Sequence, residues 1–142
     1  MEYTIKNEKE MINFGKEFAQ TLSGGDVVLL EGDLGAGKTT LTKGIAEYFG
    51  VKQEITSPTF TLMNVYPISN FKFQISNLVH VDTYRLENED DLIEIGIEDY
   101  LGAPDTICLI EWPEKLKTLL RGKKIIKIKI EHNDDGRKIE IK

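Results

Sequence analysis

Cysteine is nearly absent from this chain. Cys108 stands alone inside the apolar run Ile107-Cys108-Leu109-Ile110, so no intramolecular disulfide can form and a buried small hydrophobe is its expected role. Histidine is almost as scarce: His80 and His132 lie far from Cys108 and from each other, a spacing that offers no zinc site. Long apolar runs are missing too. None exceeds strand length, so no stretch is expected to cross a membrane. The opening Met1-Glu2-Tyr3-Thr4 carries an acid and no apolar h-region, and a cytoplasmic location is the expectation.

What is present describes one globular domain over residues 1–142, with 40% hydrophobic and 30% charged residues. A formal net charge of −6 argues against a surface built to hold nucleic acid through its phosphates. The charge is uneven. Acids crowd the stretch from Glu87 through Glu89, Asp90, Asp91, Glu94 and Glu98 to Asp99, and bases crowd Lys115 to Lys129. Two solvated faces explain this, and so does an electrostatically steered docking surface for a protein partner.

The informative stretch is Gly32-Asp33-Leu34-Gly35-Ala36-Gly37-Lys38-Thr39-Thr40, which fits G-x-x-x-x-G-K-[ST]. The apolar run Val27 to Leu30 precedes it and Leu41 to Ala46 follows, so a strand enters the loop and a helix leaves it. That context makes a phosphate cradle. Main-chain amides of Gly35, Ala36, Gly37, Lys38, Thr39 and Thr40 can surround an anion at the positive end of the helix, with Lys38 reaching the outer phosphates of ATP or ADP. The Thr39 hydroxyl would take one position on Mg²⁺.

Two further runs end in acids: Leu78-Val79-His80-Val81-Asp82 and Ile107-Cys108-Leu109-Ile110-Glu111. Ligands of open α/β sheets sit at the carboxyl ends of strands, which would deliver Asp82 and Glu111 to the phosphates. One acid can hold Mg²⁺ and the other can position the attacking water; the order of residues leaves the assignment open. Lys38, Asp82 and Glu111 are therefore the candidate catalytic residues. Arg85, just beyond Asp82, can be read as an arginine finger in cis or as a partner of the acidic segment.

Around these motifs the periodicities alternate. Tyr3 to Ile5 reads as a short strand. Asn7 and Glu10 suggest a capping box, followed by Met11, Phe14, Gly15, Phe18 and Leu22 at helical spacing. The near-repeat within 67–78 suggests an extended hairpin or loop insertion. Short helices are expected over 89–96 and 113–120, and Ile126, Ile128 and Ile130 alternate into a hairpin that turns at Asn133 to Gly136. The sum is an α/β, three-layer P-loop NTPase sandwich with a mixed, mainly parallel sheet and a C-terminal antiparallel hairpin as its edge.

Four stretches, GDLGAGKTTL from Gly32, SPTFTL from Ser57, HVDTYRL from His80 and IEWPE from Ile110, together closely resemble the bacterial TsaE family. The resemblance runs in order along nearly the whole chain. It implies a small ATPase needed for N6-threonylcarbamoyladenosine in tRNA, working with TsaB and TsaD and meeting tRNA only through that complex. It also implies that Glu111 is the acidic residue at the metal or water, that Asp82 is the Walker B-like aspartate, and that Ser57 and Thr59 belong to a switch-like loop. Trp112 would lie near the nucleotide, and the segment at Asn7 and Glu8 would border the adenine. The region 67–78 is longer than the family pattern. The competing reading is a small-molecule kinase on the same P-loop, although Arg85, Arg121 and Arg137 are too scattered to form an arginine-rich lid. A GTP switch lacks an Asn-Lys-x-Asp motif.

Overall fold

The computed structural model describes every residue except Leu34, residues 57–61 and Lys117, together with the side chains of Phe71 and Lys115. The elements are β1 (Glu2–Ile5), α1 (Glu8–Ala19), β2 (Asp26–Glu31), α2 (Lys38–Tyr48), β3 (Met63–Pro67), β4 (Asn77–Asp82), α3 (Asp90–Glu94), β5 (Thr106–Glu111), β6 (Lys124–Asn133) and β7 (Gly136–Ile141). The strands form one mixed sheet in the order β1-β7-β6-β2-β5-β4-β3. Its four inner strands β6, β2, β5 and β4 run parallel, and antiparallel partners close it at both sides.

Strand alternation sorts the core into two layers. Val28, Leu30, Leu78, Ile107, Leu109, Ile128 and Ile130 face α1 and α2 and meet Phe14, Phe18, Leu41 and Ile45. Val27, Leu29, Val79, Val81, Cys108 and Ile110 face the other way, onto Leu86, Leu92, Ile97, Leu101 and Leu116. Cover on both faces explains why β2 and β5 read as unbroken apolar runs. The α/β sandwich is thus present, with its helices on both sides of the sheet.

Helix α1 starts where Asn7 Oδ1 accepts from the Glu10 amide at 2.9 Å. The reciprocal bond of the cap runs from the Lys6 amide to Glu10 Oε2 at 3.3 Å. The helix meets α2 backbone to backbone. A Cβ on Gly15 would lie 2.6 Å from the carbonyl oxygen of Leu41, so only glycine fits this crossing. This close approach fixes how the P-loop helix lies on the sheet.

Two expectations need correction. The terminal hairpin is not the sheet edge, because β1 pairs antiparallel outside β7, from Glu2 opposite Glu140 to Ile5 opposite Arg137. A four-residue strand carries little pattern of its own; Ile5 is buried and Tyr3 packs edge-on against Phe14 at 4.9 Å. The expected helix over 113–120 is only a 3₁₀ turn, Pro113–Lys115. Leu116 leaves it with ψ 87° to bury itself under the second core layer. The Thr118 and Leu119 amides then donate to the Glu89 carboxylate at 3.0 and 2.9 Å rather than to a preceding helical turn.

The segment 67–78 joins β3 to β4 as an extended hairpin carrying a 3₁₀ turn, Phe71–Phe73. Both isoleucines of its near-repeat, Ile68 and Ile75, are buried, and Phe73 packs tilted against Tyr48 and edge-on against Phe49. No helix among the described residues is long and apolar enough to cross a membrane.

Candidate active site

The loop between β2 and α2 lies at the carboxyl ends of the parallel strands. Gly37 is the N-cap of α2 at φ 111°, in the left-handed region, and supplies no side-chain cap. Among the described residues no side chain caps the amides of the first helical turn, which is the chemistry of an anion site. A side chain at Gly37 would be strained and would press on Met11 Cε at 3.0 Å. The donor set of loop amides, Lys38, the Thr39 hydroxyl and two carboxylates fits a nucleoside triphosphate with Mg²⁺.

The sheet places the two acids side by side. Residues 78, 80 and 82 of β4 and 107, 109 and 111 of β5 face α2, and Asp82 is directly opposite Glu111 in the ladder. Leu30, the penultimate residue of β2, is the neighbour of Glu111 on its other side. Three strand ends thus converge on one point.

Lys38 is 5% exposed. It donates to the Gly32 carbonyl at 2.6 Å, stands 3.7 Å from the centroid of the Trp112 ring, and lies 4.0 Å from Glu111 Oε1. Burial pushes the Lys38 ammonium below its ordinary pKa, against the opposing pull of Glu111, Asp82, Glu114 and Asp33. On the far side of Glu111, Oε2 lies 2.5 Å from His80 Nε2.

Trp112 takes the left-handed conformation, φ 58° and ψ 55°, an outlying backbone for a bulky residue. Thr83 holds it there. Its buried hydroxyl is shared between the carbonyls of Glu111, at 3.0 Å, and Trp112, and its amide donates to Glu111 at 3.2 Å. Tyr84 packs on the indole at 5.0 Å between centroids, and its amide donates to Asp82 Oδ1 at 3.0 Å.

Two cavities flank the loop. One, of about 460 Å³, is lined by Gly35, Gly37, Lys38, Thr39, Thr40, Asp82, Tyr84, Arg85, Glu111 and Trp112. The other, of about 290 Å³, lies between the loop and the start of α1, where Asn7, Glu8 and Met11 face Gly35, Ala36, Gly37 and Thr40. Arg137 closes this second cavity, donating from Nε to Ala36 O at 3.1 Å and from Nη2 to Gly35 O at 3.2 Å.

Residues 5–139 match the family model described as threonylcarbamoyl adenosine biosynthesis protein TsaE. This chain belongs to the TsaE family. A Rickettsia typhi tRNA threonylcarbamoyladenosine biosynthesis protein TsaE is 44% identical over 83% of this chain and 78% of its own length. The Haemophilus influenzae protein of the same name is 41% identical over 96% of this chain and 85% of its length. In three dimensions the chain resembles the crystal structure of Bacillus subtilis YdiB, with a TM-score of 0.76 and 32% identity over 98% of this chain and 82% of that one.

In this TsaE chain the residues singled out by motif fall into the two cavities. Lys38, Thr39, Asp82, Glu111 and Trp112 share the larger one, and Glu8 lines the smaller with Ala36. Gly35, Gly37 and Thr40 line both. Arg85 also borders the larger cavity. Ser57 and Thr59 lie outside the described residues. Motif reasoning missed His80, Thr83 and Arg137. His80 is two residues before Asp82, and strand alternation alone puts both on one face. Arg137 carries no local signal; only the pairing of β7 with β6 brings it to the loop.

Proposed function

We propose that this chain binds and hydrolyses ATP with Mg²⁺, and that hydrolysis serves N6-threonylcarbamoyladenosine formation on tRNA through TsaB and TsaD. The observation that carries this reading is the juxtaposition of Asp82 and Glu111 across one ladder, beside the P-loop lysine. Family membership supports the tRNA-modification setting.

In this reading the loop amides of 35–40 and Lys38 hold the triphosphate, and Thr39 with one carboxylate holds the metal. Bound Mg²⁺ supplies positive charge against the phosphate oxygens. Glu111 and Asp82 divide metal holding from orientation of the attacking water. Trp112 covers the lysine and limits solvent access, and the cavity beside Asn7 and Glu8 receives the nucleoside. The reaction takes place in the cytoplasm, and tRNA is met only through the partners.

Phosphoryl transfer depends on a complete set of positioned charges, and an incomplete set costs about 10³- to 10⁵-fold. Hydrolysis by the chain alone is therefore expected to be slow and to rise when purified TsaB and TsaD are added. Turnover should be measured in both settings, with nucleotide affinity alongside. Full unassisted activity would remove the partner dependence. Failure to bind ATP at all would remove the whole reading, and transfer of phosphate to a metabolite would favour a kinase.

A further inference from the structure

We infer that His80 is a positioning residue, fixing the Glu111 carboxylate so that one oxygen faces the phosphate-side cavity without collapsing onto Lys38. The inference rests on the proposed role of Glu111 in ATP hydrolysis. His80 is fully buried in β4, between Leu78 and Asp82 on the face that looks at α2. Its ladder neighbour in β5 is Leu109, so an aliphatic side chain would suit the layer. An imidazole here carries a desolvation cost that a purely packing role does not explain.

The hydrogen-bond inventory points the same way. Nε2 lies 2.5 Å from Glu111 Oε2, while Nδ1 is buried without a partner among the described residues. The tautomer with its hydrogen on Nε2 satisfies both facts, because Nδ1 then carries no hydrogen and no buried donor is left unmatched. Nε2–H donates to Oε2 and ties that oxygen to β4. The other oxygen, Oε1, lies 4.0 Å from the Lys38 ammonium, a long ion pair beside the cavity that both residues line.

Without the imidazole, rotation about the last bond of Glu111 would let the carboxylate close onto Lys38. Both groups would then be spent on each other. Histidine in this place keeps the acid available and the lysine free to turn to a phosphate, which is how an outer hydrogen-bond partner tunes a ligand or base.

The test compares His80→Gln, whose amide nitrogen can replace Nε2–H, with His80→Met, which fills the volume without a donor. ATP turnover in the presence of TsaB and TsaD, nucleotide affinity and thermal midpoint are measured for both, with Glu111→Ala in parallel. His80→Met is expected to lose about 10- to 100-fold in kcat with nucleotide affinity unchanged, and His80→Gln to regain most of it at a similar midpoint. A nucleotide-free crystal structure of His80→Met should show Glu111 Oε1 drawn onto Lys38 Nζ. Equal activity of both variants, full or impaired, overturns the inference, as does an unmoved carboxylate in that crystal. Full activity of Glu111→Ala would instead sink the underlying role of Glu111, and the crystal would still decide where His80 holds the carboxylate.

Discussion

Arg137 Nε donates to the carbonyl of Ala36 at 3.1 Å, joining the terminal hairpin to the P-loop across 101 positions of sequence. A second bond from Nη2 to Gly35 O at 3.2 Å makes the contact a fork, and Nη1 is tied back to Gly136 O at 3.0 Å. The loop carbonyls are thereby turned outward toward the guanidinium, which favours amides turned inward toward a phosphate.

Removing this fork should loosen the loop before it harms the fold. A hydrogen bond to a charged group contributes about 1.5 to 3 kcal/mol, and with the equivalent of one such bond lost from the bound loop Arg137→Met is expected to weaken ATP binding by roughly 10- to 100-fold. Arg137→Lys should recover little, because a single ammonium cannot reproduce the fork. Calorimetric titration with ATP checks both, and wild-type affinity in Arg137→Met would show the contact to be incidental.

Thr83 governs the other wall of the site. Its hydroxyl reaches the carbonyls of Glu111 and Trp112, so Thr83→Val keeps the shape and deprives the half-buried Trp112 carbonyl of this donor, while Glu111 keeps the Thr83 amide. Such a loss costs about 1 to 3 kcal/mol. A lower denaturation midpoint is expected, together with lower turnover as Trp112 escapes its left-handed backbone. A midpoint equal to wild type would mean that the strap carries no load.

Cys108 offers a check on the second core layer. It is fully buried, its thiol donates weakly to Tyr100 O at 3.8 Å, and burial pushes its pKa up to about 12. The thiolate is the reactive species, and at pH 8 only about one thiol in ten thousand would be ionised. A disulfide reagent should leave the native protein unmodified at pH 8 and label it fully in guanidinium. Rapid labelling of the folded chain would place Cys108 at the surface.

Much of this site is legible in the sequence because its parts are local patterns. A strand, a glycine-rich loop and Lys38 follow one another directly, and alternation puts Asp82 and Glu111 at the ends of apolar runs. The strand order is not local. Nothing in the residues alone says that β5 lies between β2 and β4, yet that order alone sets Asp82 opposite Glu111 and brings His80 within reach of the same carboxylate. Arg137 is hidden for the same reason, since its place depends on β6 running past the end of β2 before the chain turns back. The expected helix at 113–120 failed because tertiary burial of Leu116 overrides a modest helical pattern.

Lys38 couples stability to pH in a way that nucleotide should abolish. Burial lowers its pKa in the folded protein, while the unfolded chain keeps the ordinary 10.5. Between those two values the unfolded state holds more protons, so this group makes stability rise with pH across that window; below it, the buried charge is a constant penalty. Lys38→Met removes the titration and nearly preserves the volume. The stability of wild type relative to Lys38→Met should therefore increase as pH is raised toward 10.5, in the absence of ATP. The same pair of proteins reports binding, because Trp112 is the only tryptophan and the ammonium stands over its ring at 3.7 Å. ATP with Mg²⁺ should change the indole emission of wild type as Lys38 turns to the phosphates, and should leave Lys38→Met unchanged. A flat pH difference would refute the buried charge, and an equal emission change in both proteins would refute the movement of the lysine.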